Sequence, residues 1–370
     1  MKFSLNDTRL SWPGVLFFVV FFSSAGVAGG SHKLKKSLTL DLPTQSRETS
    51  LRGPLGMQYV GPGAVAVWYT QKNQGQLSRR DKLDKDDPWR LDLQLVNLAD
   101  GTVKQRSQWP TRKNSSDFAA RQDGMSVLLT GPVVHCFSPD FRETNSFTLK
   151  SAEEPKEVRV LRNSPGGSVV WGIEASDSET ATRVDPNSCA PGLTFNEPRS
   201  AATISGNDNQ LVDINPTQVG IWSPESGFKL LYTHQCCLSN SLVVGRDLVG
   251  LITVSFGTDR HFLLINTRGE LLLDDTLEPG MQFSHIVTSA GGETAAVVIA
   301  EREFADTETG IEIRRTHAKI RFYDLEKRKR IGDSDANIPG ENLFWLAISP
   351  DSSEFALLNG TKLSIYELRR

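Results

Sequence analysis

The sequence predicts an all-β fold in which seven four-stranded antiparallel units close into a ring, that is, a seven-bladed β-propeller. Three observations predict it. A short apolar strand, a tight turn rich in Gly, Asp or Asn and a second apolar strand recur seven times along the 370 residues. Most of these turns are spaced by about 40–45 residues, the length of a four-stranded blade. An alternating strand also precedes the first unit, where it can complete the last one.

The seven turns occupy equivalent places, between the first and second strands of each unit. In chain order they cover residues 61–63, 122–124, 164–167, 205–208, 245–247, 290–293 and 349–352. Continuous apolar runs follow them, as at residues 64–68 and 295–299. Strands without polar alternation are buried on both faces, as the inner strands of stacked blades must be.

A third, more alternating strand follows in most units, and the faintest candidate is the third strand of unit three, at 180–184. The chain ends at Arg370 directly after the third strand of unit seven, so that blade lacks an outer strand. Residues 36–42 alternate correctly, and we expect them to pair into the last blade and close the ring, because an open edge exposes unpaired backbone groups. Residues 29–370 are then one domain, with blades near 53–110, 114–150, 155–198, 200–234, 238–277, 283–334 and 342–370.

The first residues have the pattern of a secretory signal peptide. Lys2 and Arg9 precede an apolar run from Val15 to Phe22, and small residues follow as far as Ala28. The run is shorter than the roughly 20 residues that cross a bilayer. We therefore predict a signal peptide at 1–28, cleavage after Ala28 and a periplasmic or secreted product without further membrane contact, with an uncleaved N-terminal anchor as the alternative.

Composition and motifs narrow the function classes. The net charge of -3 carries no basic excess, which argues against nucleic acid as the main partner. The chain has no Gly-x-Ser-x-Gly elbow, no His-Glu-x-x-His and no phosphate-binding Gly-Lys-Ser/Thr loop. We predict no catalytic residue, no metal and no cofactor.

Four cysteines, Cys136, Cys189, Cys236 and Cys237, permit disulfides in an exported chain. The adjacent pair 236–237 has Cα atoms about 3.8 Å apart, below the usual lower limit of about 4.4 Å for a bridge. The connectivity stays open. His234 adds a metal-binding residue type beside that pair, but a second cluster at diagnostic spacing is missing. The acidic run at 81–87 likewise lacks the glycine-turned loop of a calcium site.

The last unit carries a resemblance to a known family. From Ala347-Ile348-Ser349-Pro350-Asp351 through Leu368 it resembles one blade of the WD40-like and YVTN-like β-propeller superfamily. The resemblance implies the fold and an exported bacterial propeller of unassigned function. It implies little chemistry, because functions on this fold are diverse.

Two insertions interrupt the repeat, at residues 71–89 and 301–317, each between the second and third strands of its blade. Such connections open on the face where the chain crosses between blades, on which similar propellers bind partners. Charged side chains with an aromatic anchor suit a binding rim. The candidate binding residues are Arg79, Arg80, Asp84, Asp86, Asp87, Trp89, Glu303, Asp306, Arg314 and Arg315.

The sequence thus favours an exported module that binds a protein, an envelope glycan or another ligand. One alternative is a propeller enzyme, lactonase-like or glycan-processing, with acidic residues at the channel mouth holding a metal or acting as acid and base. Another is a structural envelope protein without a discrete site.

Overall fold

The structure is a computed structural model that describes most of the chain. The described residues are 32–42, 52–72, 89–111, 116–151, 154–155, 158–167, 169–174, 180–196, 205–208, 210–214, 217–223, 226–234, 238–253, 260–278, 281–307, 310–339 and 344–369. Over these ranges the regular secondary structure is entirely β. No helix in them has the length and apolar character needed to cross a bilayer.

Strand β1 (Leu34–Thr39) precedes the first three blades. Blade 1 contains β2 (Arg52–Tyr59), β3 (Ala64–Lys72), β4 (Trp89–Asn97) and β5 (Val103–Thr111). Blade 2 contains β6 (Ser116–Ala120), β7 (Ser126–Thr130), β8 (Val133–Phe137) and β9 (Glu143–Thr148). A short pair, β10 (Lys150–Ser151) and β11 (Glu154–Pro155), follows. Blade 3 contains β12 (Val158–Asn163), β13 (Val170–Glu174), β14 (Thr180–Asp185) and β15 (Ala190–Asn196).

Four more blades complete the ring. Blade 4 contains β16 (Ser205–Gly206), β17 (Leu211–Ile214), β18 (Gln218–Ser223) and β19 (Gly227–Thr233). Blade 5 contains β20 (Leu238–Gly245), β21 (Leu248–Thr253), β22 (His261–Asn266) and β23 (Leu271–Thr276). Blade 6 contains β24 (Met281–Thr288), β25 (Thr294–Thr307), β26 (Gly310–Asp324) and β27 (Lys329–Pro339). Blade 7 contains β28 (Phe344–Ile348), β29 (Glu354–Asn359) and β30 (Lys362–Glu367).

The seven sheets form a closed ring, which confirms the predicted fold class. The innermost strands β2, β6, β12, β16, β20, β24 and β28 follow one another in contact, and β28 returns to β2. Strand β1 is the outer strand of blade 7 and pairs with β30, for example Lys36 opposite Ile365. The predicted closing strand is confirmed, although the ladder uses residues 34–39 and leaves Leu40 and Leu42 to pack in the core.

Alternation along the second strand explains how each blade packs against two neighbours. In β3, Val65 and Val67 lie in an apolar cluster with residues of blade 7, whereas Ala66 and Trp68 lie in a cluster with residues of blade 2. A period of two sends successive side chains to opposite faces of the sheet. A strand between two blades must therefore be apolar at every position.

Polar side chains join the inner strands to one another. Gln58 of β2 accepts a hydrogen bond from the Ala120 amide in β6, at 3.1 Å, and donates to the carbonyl of the same residue. Thr288 of β24 donates to the Val244 carbonyl in β20, at 2.8 Å. An inner strand has no further strand beside it, so these bonds satisfy backbone groups that face the channel.

A buried charge cluster joins blade 5 to blade 6. Arg321 of β26 is 1% exposed, and its guanidinium lies 3.1 Å from the Asp275 carboxylate and 3.0 Å from the Asp333 carboxylate. The Tyr323 hydroxyl donates to Asp275 at 2.7 Å. The arginine thus neutralises two carboxylates that belong to the outer strands of adjacent blades.

A disulfide joins blade 2 to blade 3. Cys136 of β8 is bonded to Cys189, in the turn between β14 and β15, with Cα atoms 5.8 Å apart. The sequence left this connectivity open. The other two cysteines lie outside the described residues.

Candidate functional site

The two faces of the ring differ in their connections. Because neighbouring strands are antiparallel, turns between first and second strands share a face with turns between third and fourth strands; we call it the turn face, and Gly61 and Gly124 lie on it. Connections between second and third strands lie on the opposite face, the loop face, as do the crossings between blades. Both insertions, in blade 1 and blade 6, belong to the loop face and flank blade 7.

The two insertions are built differently. The β3–β4 ladder ends at the pair Lys72 and Trp89, and residues 73–88 lie outside the described part of the chain. The β25–β26 ladder instead continues to the pair Thr307 and Gly310. The second insertion is therefore a strand hairpin, which extends about 24 Å beyond Ala300 at about 3.4 Å per residue.

The candidate binding residues divide accordingly. Arg79, Arg80, Asp84, Asp86 and Asp87 lie outside the described residues. Trp89 begins β4 opposite Lys72, and its side chain is 5% exposed. In the hairpin, Glu303 stands opposite Arg314, Arg315 opposite Arg302, and Asp306 opposite Ile311. The backbone register thus brings all four hairpin candidates into one two-stranded extension.

Turns from several blades meet across the channel at the turn face. The Gly166 amide of blade 3 donates to the Ala290 carbonyl of blade 6, at 2.8 Å. A Cβ atom on Gly291 would lie 2.9 Å from the Pro350 carbonyl oxygen and 3.0 Å from the Gln122 amide nitrogen. Glycine is required where backbones approach this closely. The contacts close this end of the channel.

A carboxylate and a guanidinium lie on neighbouring inner strands, Asp117 on β6 and Arg162 on β12. Burial raises the pKa of Asp117 and lowers the pKa of Arg162. One carboxylate oxygen of Asp117 accepts from the Phe118 amide and the other from the Leu161 amide, both at 2.8 Å. Through these bonds Asp117 links blade 2 to blade 3.

Blade 2 contains a hydroxyl, an imidazole and a carboxylate in hydrogen-bonded succession. Thr130 Oγ1 lies 2.9 Å from His135 Nε2, and His135 Nδ1 lies 2.8 Å from the Glu143 carboxylate. This is the order of a nucleophile, a base and an orienting acid. Thr130 is only 6% exposed, and the Trp109 ring lies 5.7 Å from the imidazole. A substrate carbonyl cannot reach that hydroxyl, so the network serves to tie three strands together.

A polar cleft of about 370 Å³ lies on the turn face over blades 3, 4 and 5. Its groups bond one another: Ser164 Oγ donates to Asp208 at 2.8 Å, and the Asn207 amide donates to the Arg246 carbonyl at 3.0 Å. Within the described ranges, no group of three or more His, Cys, Asp and Glu side chains is placed to hold a metal ion. His234 donates its backbone amide to Thr217, and the cysteines that follow it lie outside those ranges.

Sequence reasoning missed the contacts that form between blades. Asp117 and Leu161 are 44 residues apart, at equivalent places in successive blades. The blade period was the available signal, because it predicts which residues become neighbours. It carries no information on which side chain bonds which amide.

No family model and no curated protein matches the chain. Among solved structures it is similar to a chain of the mitotic checkpoint complex, at 12% identity over 100% of this chain and 98% of that chain, with a TM-score of 0.51. It is also similar to KlHsv2 with loop 6CD replaced by a Gly-Ser linker, at 11% identity over 84% and 90%, with a TM-score of 0.51. The C-terminal WD40 domain of Sif2 aligns at 11% identity over 92% and 100%, with a TM-score of 0.49.

At these identities the similarity shows the fold alone. The chain is a seven-bladed β-propeller with four-stranded antiparallel blades.

Proposed function

We propose that this propeller is an exported binding scaffold that holds a protein or an envelope glycan on its loop face. The main support for this proposal is that the long connections of blades 1 and 6 both open on that face and flank blade 7. Extended connections on a rigid scaffold are where binding residues concentrate. Trp89, buried at the base of the first connection, would fix the direction in which that connection leaves the blade.

Export is supported by two independent features. Residues 1–28 have the pattern of a signal peptide, and the Cys136–Cys189 disulfide suits an oxidising compartment. A fusion of residues 1–40 to a phosphatase that is active only outside the cytoplasm tests export. N-terminal sequencing of the purified product then distinguishes cleavage after Ala28, which gives Gly29 first, from an uncleaved anchor.

The binding role of the loop face is tested by shortening each of the two long connections to a turn between paired residues of its ladder. Replacing residues 73–88 by Asn-Gly keeps the terminal pair Lys72 and Trp89. Replacing residues 303–314 by Asn-Gly keeps the pair Arg302 and Arg315. Asn-Gly forms the two-residue turn that such hairpins prefer. Arg268→Glu, at an exposed turn on the turn face, is the matched control.

The four proteins are compared by crosslinking and capture from an envelope fraction. We expect a partner that the native and control proteins retain and the shortened proteins lose, with all four folded by circular dichroism. Equal capture by every folded variant would contradict the proposal. That result would instead favour a ligand site in the channel and the enzymatic alternative.

A further inference from the structure

Two opposite charges meet at one residue of the channel wall, Leu161 of β12. The Leu161 amide donates to the Asp117 carboxylate at 2.8 Å, and the Leu161 carbonyl accepts from the Arg162 guanidinium at 3.1 Å. The amide and the carbonyl of one strand residue point to the same edge of the strand. Strand β12 pairs with β13 on its other edge. Both charged groups therefore stand on the free inner edge of β12, here called the Leu161 edge, which borders the channel.

The two charged groups do not form an ion pair with each other. Among the described residues, Asp117 accepts hydrogen bonds only from the Phe118 and Leu161 amides, and Arg162 donates only to the Leu161 carbonyl. A buried charge is costly unless an opposite charge contacts it. Burial raises the pKa of Asp117 and lowers the pKa of Arg162, although their mutual attraction acts in the opposite direction on both. Each charge is thus incompletely compensated.

Both groups keep bonding capacity that a ligand can reach. A guanidinium has five N–H donors, and no unpartnered nitrogen of Arg162 is shut off from solvent. Both residues are partly exposed. Each carboxylate oxygen of Asp117 accepts one backbone amide and can accept a second donor. A ligand can therefore bind here without breaking the bonds that join the strands.

The arrangement of the charges indicates the class of ligand. Asp117 requires a cation and Arg162 an anion, and both are anchored to backbone atoms of the same residue. A ligand that compensates both must carry two opposite charges only a few bonds apart, as an α-amino acid does on a single carbon. A simple anion such as phosphate would satisfy Arg162 but would lie beside the Asp117 carboxylate.

We propose that the channel binds a free α-amino acid at the Leu161 edge, with the ligand's ammonium group on Asp117 and its carboxylate on Arg162. Contacts between turns close the turn-face end of the channel, so the ligand enters from the loop face. The site does not rest on the binding of a protein or glycan proposed above, because its test requires no such partner. Failure of either proposal leaves the other standing.

The probes are the common protein amino acids and inorganic phosphate, each titrated by calorimetry into the purified, folded chain. The amino acid with the lowest Kd is then compared with its amide, which lacks the carboxylate, and with its N-acetyl form, which lacks the ammonium group. We expect saturable binding of at least one amino acid and a Kd about tenfold higher or more for each derivative, because a hydrogen bond to a charged group contributes that much. These comparisons use the native protein alone.

Two variants assign the two charges of the ligand. In Arg162→Met the amide should bind as the free amino acid does, and in Asp117→Asn the N-acetyl form should do so. Arg142→Met and Asp140→Asn, at exposed residues between β8 and β9, are the matched controls and should keep both preferences. Circular dichroism checks that each variant is folded. Each comparison is between two ligands on one protein, so a loss of stability does not imitate the result.

Amino-acid analysis of the solution released by heat denaturation first shows whether the chain is purified with its ligand. A stoichiometric amino acid there would support the proposal. No released amino acid together with no saturable binding would overturn it, as would equal Kd values for the free amino acid and its two derivatives. Phosphate that binds more tightly than every amino acid, and is lost in Arg162→Met, would show a simple anion site instead.

Discussion

Closure of the ring by β1 can be weakened by substitutions at two residues that lie outside all of the strands. Leu40 and Leu42 follow the β1 ladder and are buried in the cluster between blades 7 and 1, and the Leu40 amide also donates to the Thr361 carbonyl at 2.8 Å. A buried Leu→Ala substitution costs about 2–5 kcal/mol. The two residues share one cluster, so their effects are coupled. We expect the double variant to lose about 4–8 kcal/mol, a large part of the roughly 5–15 kcal/mol by which a domain is stable.

The assay is urea unfolding followed by tryptophan fluorescence, combined with hydrogen exchange. In Leu40→Ala and in the double variant, the amides of β30 should lose protection first, because β30 becomes the edge of blade 7. The ladder between β13 and β14 should keep its protection at the same urea concentration. Val103→Ala, at an outer-strand residue that is 43% exposed, is the control and should change stability by less than about 0.5 kcal/mol. A loss of stability below about 0.5 kcal/mol in Leu40→Ala would refute the role of residues 34–42 in closing the ring.

Three further predictions concern contacts between blades. Arg321→Met should lower the free energy of unfolding by about 1–3 kcal/mol in thermal melts, because Asp275 and Asp333, which are 17% and 22% exposed, lose the guanidinium and keep only the Tyr323 hydroxyl and Arg330 as partners; a neutral result would mean that water replaces the guanidinium. Burial lowers the pKa of His32, which packs 4.9 Å from the Phe322 ring, so the unfolded chain binds protons more readily. The stability that His32 contributes should therefore be present above pH about 6.5 and decline as the pH falls through the lowered folded pKa. We expect the urea midpoints at pH 7.5 and pH 5.0 to differ less in His32→Phe than in the native protein. Reduction of the Cys136–Cys189 bond, which closes a loop with a sequence separation of 53, should cost about 2–4 kcal/mol in urea, with a Ser double variant insensitive to reductant as the control.

Most of the fold was predictable because a propeller repeats one local pattern. An inner strand packed between two blades must be apolar on both faces, as β3 is, and this produces the runs that mark each unit. The closing strand was predictable from the alternation at residues 36–42 together with the missing fourth strand of blade 7. The strand hairpin beyond Ala300 was harder to foresee, although the alternation of Ile311 and Ile313 is typical of a strand.

The sites were much less predictable, because each depends on side chains brought together by neighbouring blades. Cys136 and Cys189 pair only because blades 2 and 3 are adjacent, and four cysteines alone allow several connectivities. The cleft between blades 7 and 1 on the turn face needs residues from β1, from β30 and from the turns of two blades. Pairing of β1 with β30 could be predicted, but the side chains that line the cleft depend on geometry that no sequence pattern encodes.

The two ends of the channel place different demands on any ligand. At the turn face, backbone contacts such as the bond from the Gly166 amide to the Ala290 carbonyl close the mouth. Inside, Gln58 and Asp117 bond the amides of adjacent inner strands. A ligand entering the channel from the turn face would have to break these bonds, and each buried group left unpaired would cost about 1–3 kcal/mol. Binding at the loop face, as proposed above, would break none of these bonds.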